Sequence, residues 1–310
     1  MKVFEIGQLS EKIPHAIVTS GTFDGVHIGH KKILSGIVNQ AKEHNGKSVV
    51  LTFWPHPRLI LNPKDSQLKL LSTFSERVQL IEEANIDYLI KIPFTKEFAQ
   101  LTSEQFVNQI LIDKLGTKKF VIGYDHHFGK DRGGSLAFLK ANEQRFGFEV
   151  QEIPRQDIDH VGVSSTKVRK ALIEGQVHLA NEYLGHFYSL FGKVVPGDKL
   201  GSKIGFPTAN ISIAEEYKLI PRDGVYAVLI SIEDKVYNGM SNIGIRPTVD
   251  GVNRKIEVNI FDFAREIYGK QISIKFIKRI RDEIKFDGLE SLQKQLSKDR
   301  KESIKILSDK

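Results

Sequence analysis

GTFDGVHIGH, residues 21–30, is the stretch on which the reading of this chain turns. It follows a short apolar run, HAIVTS (15–20), and precedes Lys31–His44, which reads as a helix. A buried strand, a glycine turn and a helix N-terminus in that order make the place where phosphates bind in open α/β sheets. Gly21 and Gly25 permit a tight turn and a close approach of backbone to a ligand. His27 and His30 lie three residues apart, so on a first helical turn they share one face. Two imidazoles placed there would donate hydrogen bonds to a phosphate whose charge grows in a transition state. The competing reading is a capped helix start with two incidental histidines, and the glycines and the upstream strand weigh against it. A zinc site is disfavoured too, since the pair lacks the glutamate and the i, i+4 spacing of a metalloprotease helix.

Outward from this motif, Ser48–Phe53 reads as a buried strand and Ser75–Ala84 as a helix. Tyr88–Ile92 and Phe120–Ile122 are further short apolar runs, separated by a helical stretch over Ser103–Leu115. Ser164–Glu174 and Val177–Leu184 read as two short helices closing this half. Strands alternating with helices predict a parallel sheet covered by helices. The second half changes period. Tyr188–Val195, Gly224–Ile232, Val236–Ile243, Lys255–Phe261 and Gln271–Ile277 are strand candidates separated by Gly, Pro and Asp. In one of them Ile256, Val258 and Ile260 share a face while Glu257 and Asn259 share the other. Leu289, Leu292 and Leu296 then repeat at helical spacing in a Lys-rich C-terminal helix. This pattern predicts a small antiparallel β-barrel with a terminal helix, and a division into residues 1–184 and 185–310.

The chain's 310 residues are about two domain-lengths. It contains no cysteine, which excludes disulfides, thiolate zinc sites, iron–sulfur clusters and a cysteine nucleophile. Met1–Leu9 carries Lys2 and Glu5 and has no apolar h-region, and no stretch reaches the ~18 apolar residues of a membrane span. A soluble, cytoplasmic protein without membrane contact is expected. The 45 Lys and Arg exceed the 38 Asp and Glu, a net +7 that favours anionic partners. The basic runs, Lys275–Arg281 and Lys294–Lys305, are broken by acidic or apolar residues, so a solvated face is preferred over a nucleic-acid surface.

Two further segments suit phosphates. In SSTKVRKAL (164–172), Ser164, Ser165 and Thr166 read as N-cap hydroxyls, with Lys167 and Arg169 placing cations beside free backbone N–H groups. In GKVVPGDKLGSKIGFPTANI (192–211), Gly197, Gly201 and Gly205 leave backbone amides accessible to phosphate. Thr208 and Asn210, two apart on an extended chain, project oxygens the same way and could bind Mg²⁺. Gly46-Lys47-Ser48 looks like the end of a P-loop, but Ala41 stands where that motif needs glycine.

The HIGH tetrad resembles the signature of the nucleotidyltransferase superfamily, which includes class I aminoacyl-tRNA synthetases and small adenylyltransferases. The longer GTFDGVHIGH is similar to the adenylyltransferase half of bacterial bifunctional riboflavin kinase/FAD synthetases. WPHP (54–57), VIGYDHHFG (121–129) and SSTKVRKAL resemble the same half. PTAN (207–210), NIGIRPTVDG (242–251), IEVNIFDF (256–263) and RDEIKF (281–286) resemble the kinase half, in order. A tRNA-charging enzyme would need a KMSKS-like loop where this chain has SSTKVR, and would leave the second half unexplained.

The resemblance implies a Rossmann-like nucleotidyltransferase domain, a parallel sheet with helices, followed by a riboflavin kinase barrel. The first would be an FMN adenylyltransferase over 1–184 and the second the kinase over 185–310. ATP would be co-substrate with Mg²⁺, and riboflavin, FMN and FAD the substrates and products, with no nucleic acid and no obligate protein partner. Gly21, Phe23, Gly25, Ser165 and Thr166 would lie at the ATP phosphates of the first site. Arg169 would stabilise departing pyrophosphate beside His27 and His30. Asp125 and His127 would lie near the flavin. An Arg is frequent at the place of His127, and losing its permanent charge would weaken a flavin-phosphate contact or make it pH-dependent. In the kinase, Gly197, Gly201, Gly205, Thr208 and Asn210 would hold ATP, the last two with Mg²⁺. Glu257 would take the proton of the riboflavin 5′-hydroxyl, and Arg281 and Glu283 would lie near the flavin ring.

Overall fold

The computed structural model describes residues 1–62, 68–123, 126–153, 162–197, 200–248 and 251–308. It divides into two compact units, Met1–Ser165 and Thr166–Lys310.

In the first unit the continuous apolar runs become central strands, because a strand covered on both faces needs no polar side. The strands are β1 (Lys2–Glu5), β2 (Ala16–Gly21), β3 (Lys47–Trp54), β4 (Tyr88–Pro93), β5 (Thr117–Gly123) and β6 (Glu149–Ile153). They form one sheet in the order β1-β4-β3-β2-β5-β6, with every pair parallel. Between them run α1 (Ile28–Glu43), α2 (Pro57–Leu61), α3 (Phe74–Glu82), α4 (Ser103–Phe106), α5 (Leu136–Ala141) and α6 (Glu143–Phe146). The expected helix over 103–115 is α only at its start and continues as a π-helix over Val107–Lys114, burying Val107, Ile110 and Leu111. From β2 the chain moves outward one way to β3 and β4, then returns to β2's other side as β5. The carboxyl ends of β2 and β5 therefore flank a topological switch point, where open α/β sheets place their ligands.

Two helices follow, α7 (Ser165–Ile173) and α8 (Val177–Leu184). Sequence periodicity groups them with the first half, whereas by contacts they belong, from Thr166 onward, to the second unit. The Asn181 side chain of α8 is the reason. Its amide donates to the Phe276 carbonyl at 2.8 Å, and its oxygen accepts from the Tyr188 amide at 2.7 Å.

The remaining strands are β7 (Ser189–Val195), β8 (Ala209–Ser212), β9 (Gly224–Ile232), β10 (Lys235–Thr248), β11 (Gly251–Ile260) and β12 (Gln271–Arg281). They close a barrel in the order β10-β11-β8-β7-β12-β9, all antiparallel. A short α9 (Leu200–Lys203) precedes β8, and α10 (Leu289–Ser308) ends the described chain. Leu292, Leu296 and Leu307 of α10 pack with Met240, Phe261 and Ile277 of the barrel. Leu289, the first residue of the helix, is exposed instead. The architecture is thus a six-stranded parallel α/β unit, then a closed antiparallel barrel with a terminal helix.

Candidate active sites

The turn after β2 is fixed from below. Phe23, Gly25 and Val26 have φ of 47°, 79° and 40°, a left-handed run that only the glycine adopts without strain. Asp24, 1% exposed, holds it in place. Its carboxylate accepts the amides of Leu71 and Ser72 and the Ser72 hydroxyl, all within 3.2 Å. The Gly25 amide in turn donates to the Ser72 Oγ at 3.1 Å. The Ser165 hydroxyl donates to the Asp24 carbonyl at 3.0 Å, tying the start of α7 to the same turn.

His27 caps α1, its Nδ1 accepting the His30 amide at 3.3 Å. The two rings stack at 3.6 Å between centroids with 17° between planes, and the Phe23 ring meets His30 at 5.2 Å, edge-on. Burial first, then the neighbouring His27 and the Arg77 guanidinium, push the His30 pKa well below the usual 6.5. His30 is therefore neutral, a hydrogen-bond donor without charge. Its Nδ1 is buried and has no hydrogen-bond partner among the described residues. This has a measurable consequence. Below pH 6.5 the unfolded chain protonates this histidine and the folded chain does not, so stability falls as pH drops through that value. Denaturant melts followed by Trp54, the chain's single tryptophan, should show this fall between pH 8 and 5. His30→Gln should flatten it, and an equally steep fall in the variant would refute the assignment.

A cavity of about 800 Å³ opens above the carboxyl ends of the strands. Its lining includes Gly21, His27 and His30, and also Phe53, Phe94, Phe98, Phe106 and Phe128. These phenylalanines are linked ring to ring at 5.1–6.3 Å, a shelf suited to a flat aromatic group. His126 hydrogen-bonds the Ser20 hydroxyl at 3.0 Å and lies beside Phe128. Exposed His127 lines the same cavity, as do Lys130 and Arg132 on the 128–134 hairpin. Asp125 lies outside the described residues. His56 is buried and caps α2, accepting the Arg58 amide, which makes it a turn residue. Thr166 is exposed on α7, and Arg169 is half-buried there.

In the barrel, register assembles a second constellation. Glu257 on β11 pairs with Asn210 on β8 to one side and with Asn242 on β10 to the other. The Asn242 amide reaches Glu283 at 3.5 Å. A Cβ at Gly197 would meet the Asn210 side-chain amide, so the glycine leaves that amide room beside it. Gly201 lies on α9, and Gly205 (φ 81°) follows it. A cavity of about 420 Å³ is lined by Gly197, Ser202 and Thr208 with Phe263, Arg265 and Tyr268. Arg281 is engaged with the terminal helix. Its guanidinium forks onto Asp299 of α10 at 2.9 and 2.7 Å and donates to the Asp282 carbonyl.

Two family models match the chain, FAD synthetase over residues 9–167 and riboflavin kinase over 184–307. A bifunctional riboflavin kinase/FMN adenylyltransferase from Haemophilus influenzae is 38% identical, with 91% of both chains covered. One from Bacillus subtilis is 37% identical over 97% of this chain and 95% of its own. The chain belongs to the bifunctional riboflavin kinase/FMN adenylyltransferase family. A solved structure described as a macrolide-efflux protein from Streptococcus pneumoniae superposes with a TM-score of 0.85 at 31% identity, covering 96% of each chain. That likeness supports the fold, and no described helix is long and apolar enough to cross a membrane.

Against the family pattern, the first unit gathers Gly21, Phe23, His27, His30 and His127 around one cavity. The second gathers Asn210, Glu257 and Glu283 in one patch. Three residues of the chain escaped sequence reasoning: Asp24, whose partners lie 47 and 48 residues away, His126, and Asn242, which only strand register places beside Glu257.

Proposed function

We propose that the chain makes FAD from riboflavin in two steps, one in each half. In the kinase, over residues 185–310, Glu257 takes the proton of the riboflavin 5′-hydroxyl as that oxygen attacks the γ-phosphorus of ATP and ADP leaves. Asn210 and Asn242 lie opposite Glu257 in strand register, one on each side. Gly197, Gly201 and Gly205 offer backbone amides to the ATP phosphates. Thr208 and Asn210 supply neutral oxygens, and no cluster of three His, Asp or Glu able to hold a metal occurs among the described residues. That donor set fits Mg²⁺ delivered with a triphosphate, which needs few protein oxygens. When bound, Mg²⁺ neutralises phosphate charge. Glu283, which accepts the Asn242 amide, is assigned to the flavin. Arg281 acts there through its hold on α10.

In the adenylyltransferase, over residues 1–184, a phosphate oxygen of FMN attacks the α-phosphorus of a second ATP, and the bond to pyrophosphate breaks. His27 and neutral His30 donate hydrogen bonds to the charge that develops. Ser165, Thr166 and Arg169 are assigned to the triphosphate by their motif, and Asp125 and His127 to the flavin side. The observation that carries this reading is the 800 Å³ cavity at the switch point, lined by stacked imidazoles and a cluster of phenylalanines. It offers one molecule both a phosphate contact and a flat apolar seat. The substrates are small molecules of the cytoplasm, and neither nucleic acid nor a protein partner takes part.

The test is incubation of the purified chain with riboflavin, ATP and Mg²⁺, followed by chromatography of the flavins. FMN should appear first and FAD after it, and absence of both would sink the reading. Arg169→Ala should lower FAD formation by about 10²–10³-fold while FMN accumulates. Equal loss of both products would refute its assignment to pyrophosphate release.

A further inference from the structure

The core beneath the first site holds a cation that the two reactions above do not use. Arg77 of α3 is fully buried, with 0% exposure. Such a charge costs several kcal/mol to desolvate, and its surroundings show what it holds. Its Nη1 donates to the Thr52 hydroxyl at 3.0 Å and to the Phe53 carbonyl at 3.4 Å. The Thr52 hydroxyl passes the contact on, donating to the Thr22 carbonyl at 3.4 Å. Thr22 belongs to the turn between Gly21 and His27 and lines the cavity. The guanidinium also lies 5.2 Å from the Trp54 ring centre, a flat contact that limits where it can go.

We propose that Arg77 is a positioning residue of the adenylyl-transfer site: by its bond to the Thr52 hydroxyl it fixes the Thr22 carbonyl that the hydroxyl holds at the cavity. The charged and titratable groups acting on His30 are His27, stacked on it from the cap of α1, and Arg77 from α3. The nearby Asp24 carboxylate is committed to Leu71 and Ser72. The Arg77 charge adds, after burial and His27, to what disfavours protonation of His30. That ring is left a neutral donor, while the guanidinium stays out of substrate reach.

This inference rests on the adenylyltransferase reading, but one arm of its test does not. Ring ¹⁵N spectra of the full-length chain report the protonation of His30 whether or not the chain makes FAD. In Arg77→Met the His30 titration should move upward from its native position, and in Arg77→Lys, which keeps the charge, it should stay. The kcat for FMN adenylylation should fall about 10²-fold in Arg77→Met with little change in KM, and Arg77→Lys should recover only part. Thr52→Val cuts the contact to Thr22 and leaves the charge, so it should lower kcat without moving the His30 titration. Riboflavin phosphorylation, carried by the other half of the same molecule, should be unchanged throughout. If Arg77→Met does not fold, Thr52→Val and Arg77→Lys still decide. An unmoved His30 titration in Arg77→Met, a Thr52→Val enzyme of native kcat, or an Arg77→Lys titration shifted upward would each overturn the proposal. A wild-type chain that makes no FAD would defeat the functional reading and leave the titration result standing.

Discussion

Glu257→Gln is expected to lower FMN formation by about 10²–10⁴-fold, the usual weight of a positioned general base, while supplied FMN is still converted to FAD at the native rate. The substitution keeps the size of the side chain and its place between Asn210 and Asn242, so the barrel should close as before. What it removes is the oxygen able to take the 5′-hydroxyl proton. The loss should therefore fall on kcat, with riboflavin KM little changed, because the interaction counts only as the hydroxyl begins to attack. Steady-state phosphorylation of riboflavin, measured beside adenylylation of FMN on one preparation, separates the outcomes. A variant retaining more than a tenth of native kcat would mean that Glu257 is an ordinary strand residue and that the hydroxyl loses its proton unaided.

Arg281→Met should destabilise the barrel unit by about 3–5 kcal/mol, the range for leaving one partner of a buried pair uncompensated. Asp299 is 1% exposed and receives three bonds from Arg281 and a fourth from Gln295 at 2.8 Å. Without the guanidinium its carboxylate stays in the core with one neutral donor. Replacing both residues, as in Arg281→Met/Asp299→Leu, should restore most of the loss, since the desolvated charge goes with its partner. Amide hydrogen exchange along α10 reads the change directly, and Trp54 fluorescence, which belongs to the other unit, should not respond. The same pair of variants decides what Arg281 does for the flavin. If Arg281→Met leaves exchange on α10 untouched but raises riboflavin KM, the guanidinium contacts substrate and the docking role is refuted.

The parts of this molecule that the sequence displays are those whose partners lie close along the chain. β2 is legible because its run of buried apolar residues needs cover on both faces, and His27 with His30 because one helical turn brings them together. β1, β6 and β8 are not. β1 and β6 are short edge strands with exposed charges such as Lys2 and Glu149, and the four residues of β8 end in polar side chains. Glu76 and Arg77 are charged residues of the 75–84 helix, and they are 4% and 0% exposed. The Arg77 guanidinium meets Thr52 and Trp54 from β3, which no local period encodes. Arg281 is the reverse case. Its motif suggests a flavin contact, and the acid that claims its guanidinium lies 18 residues on, in a helix that reads as Lys-rich surface. The division near 184 follows the end of helical periodicity, whereas the contacts of α8 depend on the Asn181 side chain reaching Phe276, 95 residues away.

The register around Glu257 ties chemistry to folding order. β11 is paired on both sides, and side chains alternate along it, so a slip of one residue against β8 or β10 would present Ile256 or Val258 where the carboxylate belongs. No loop can correct such an error afterwards. Acquisition of kinase competence and ring closure of the barrel are then a single event. During refolding, phosphorylation of riboflavin should return only with the last strand pairing, however early the helices form.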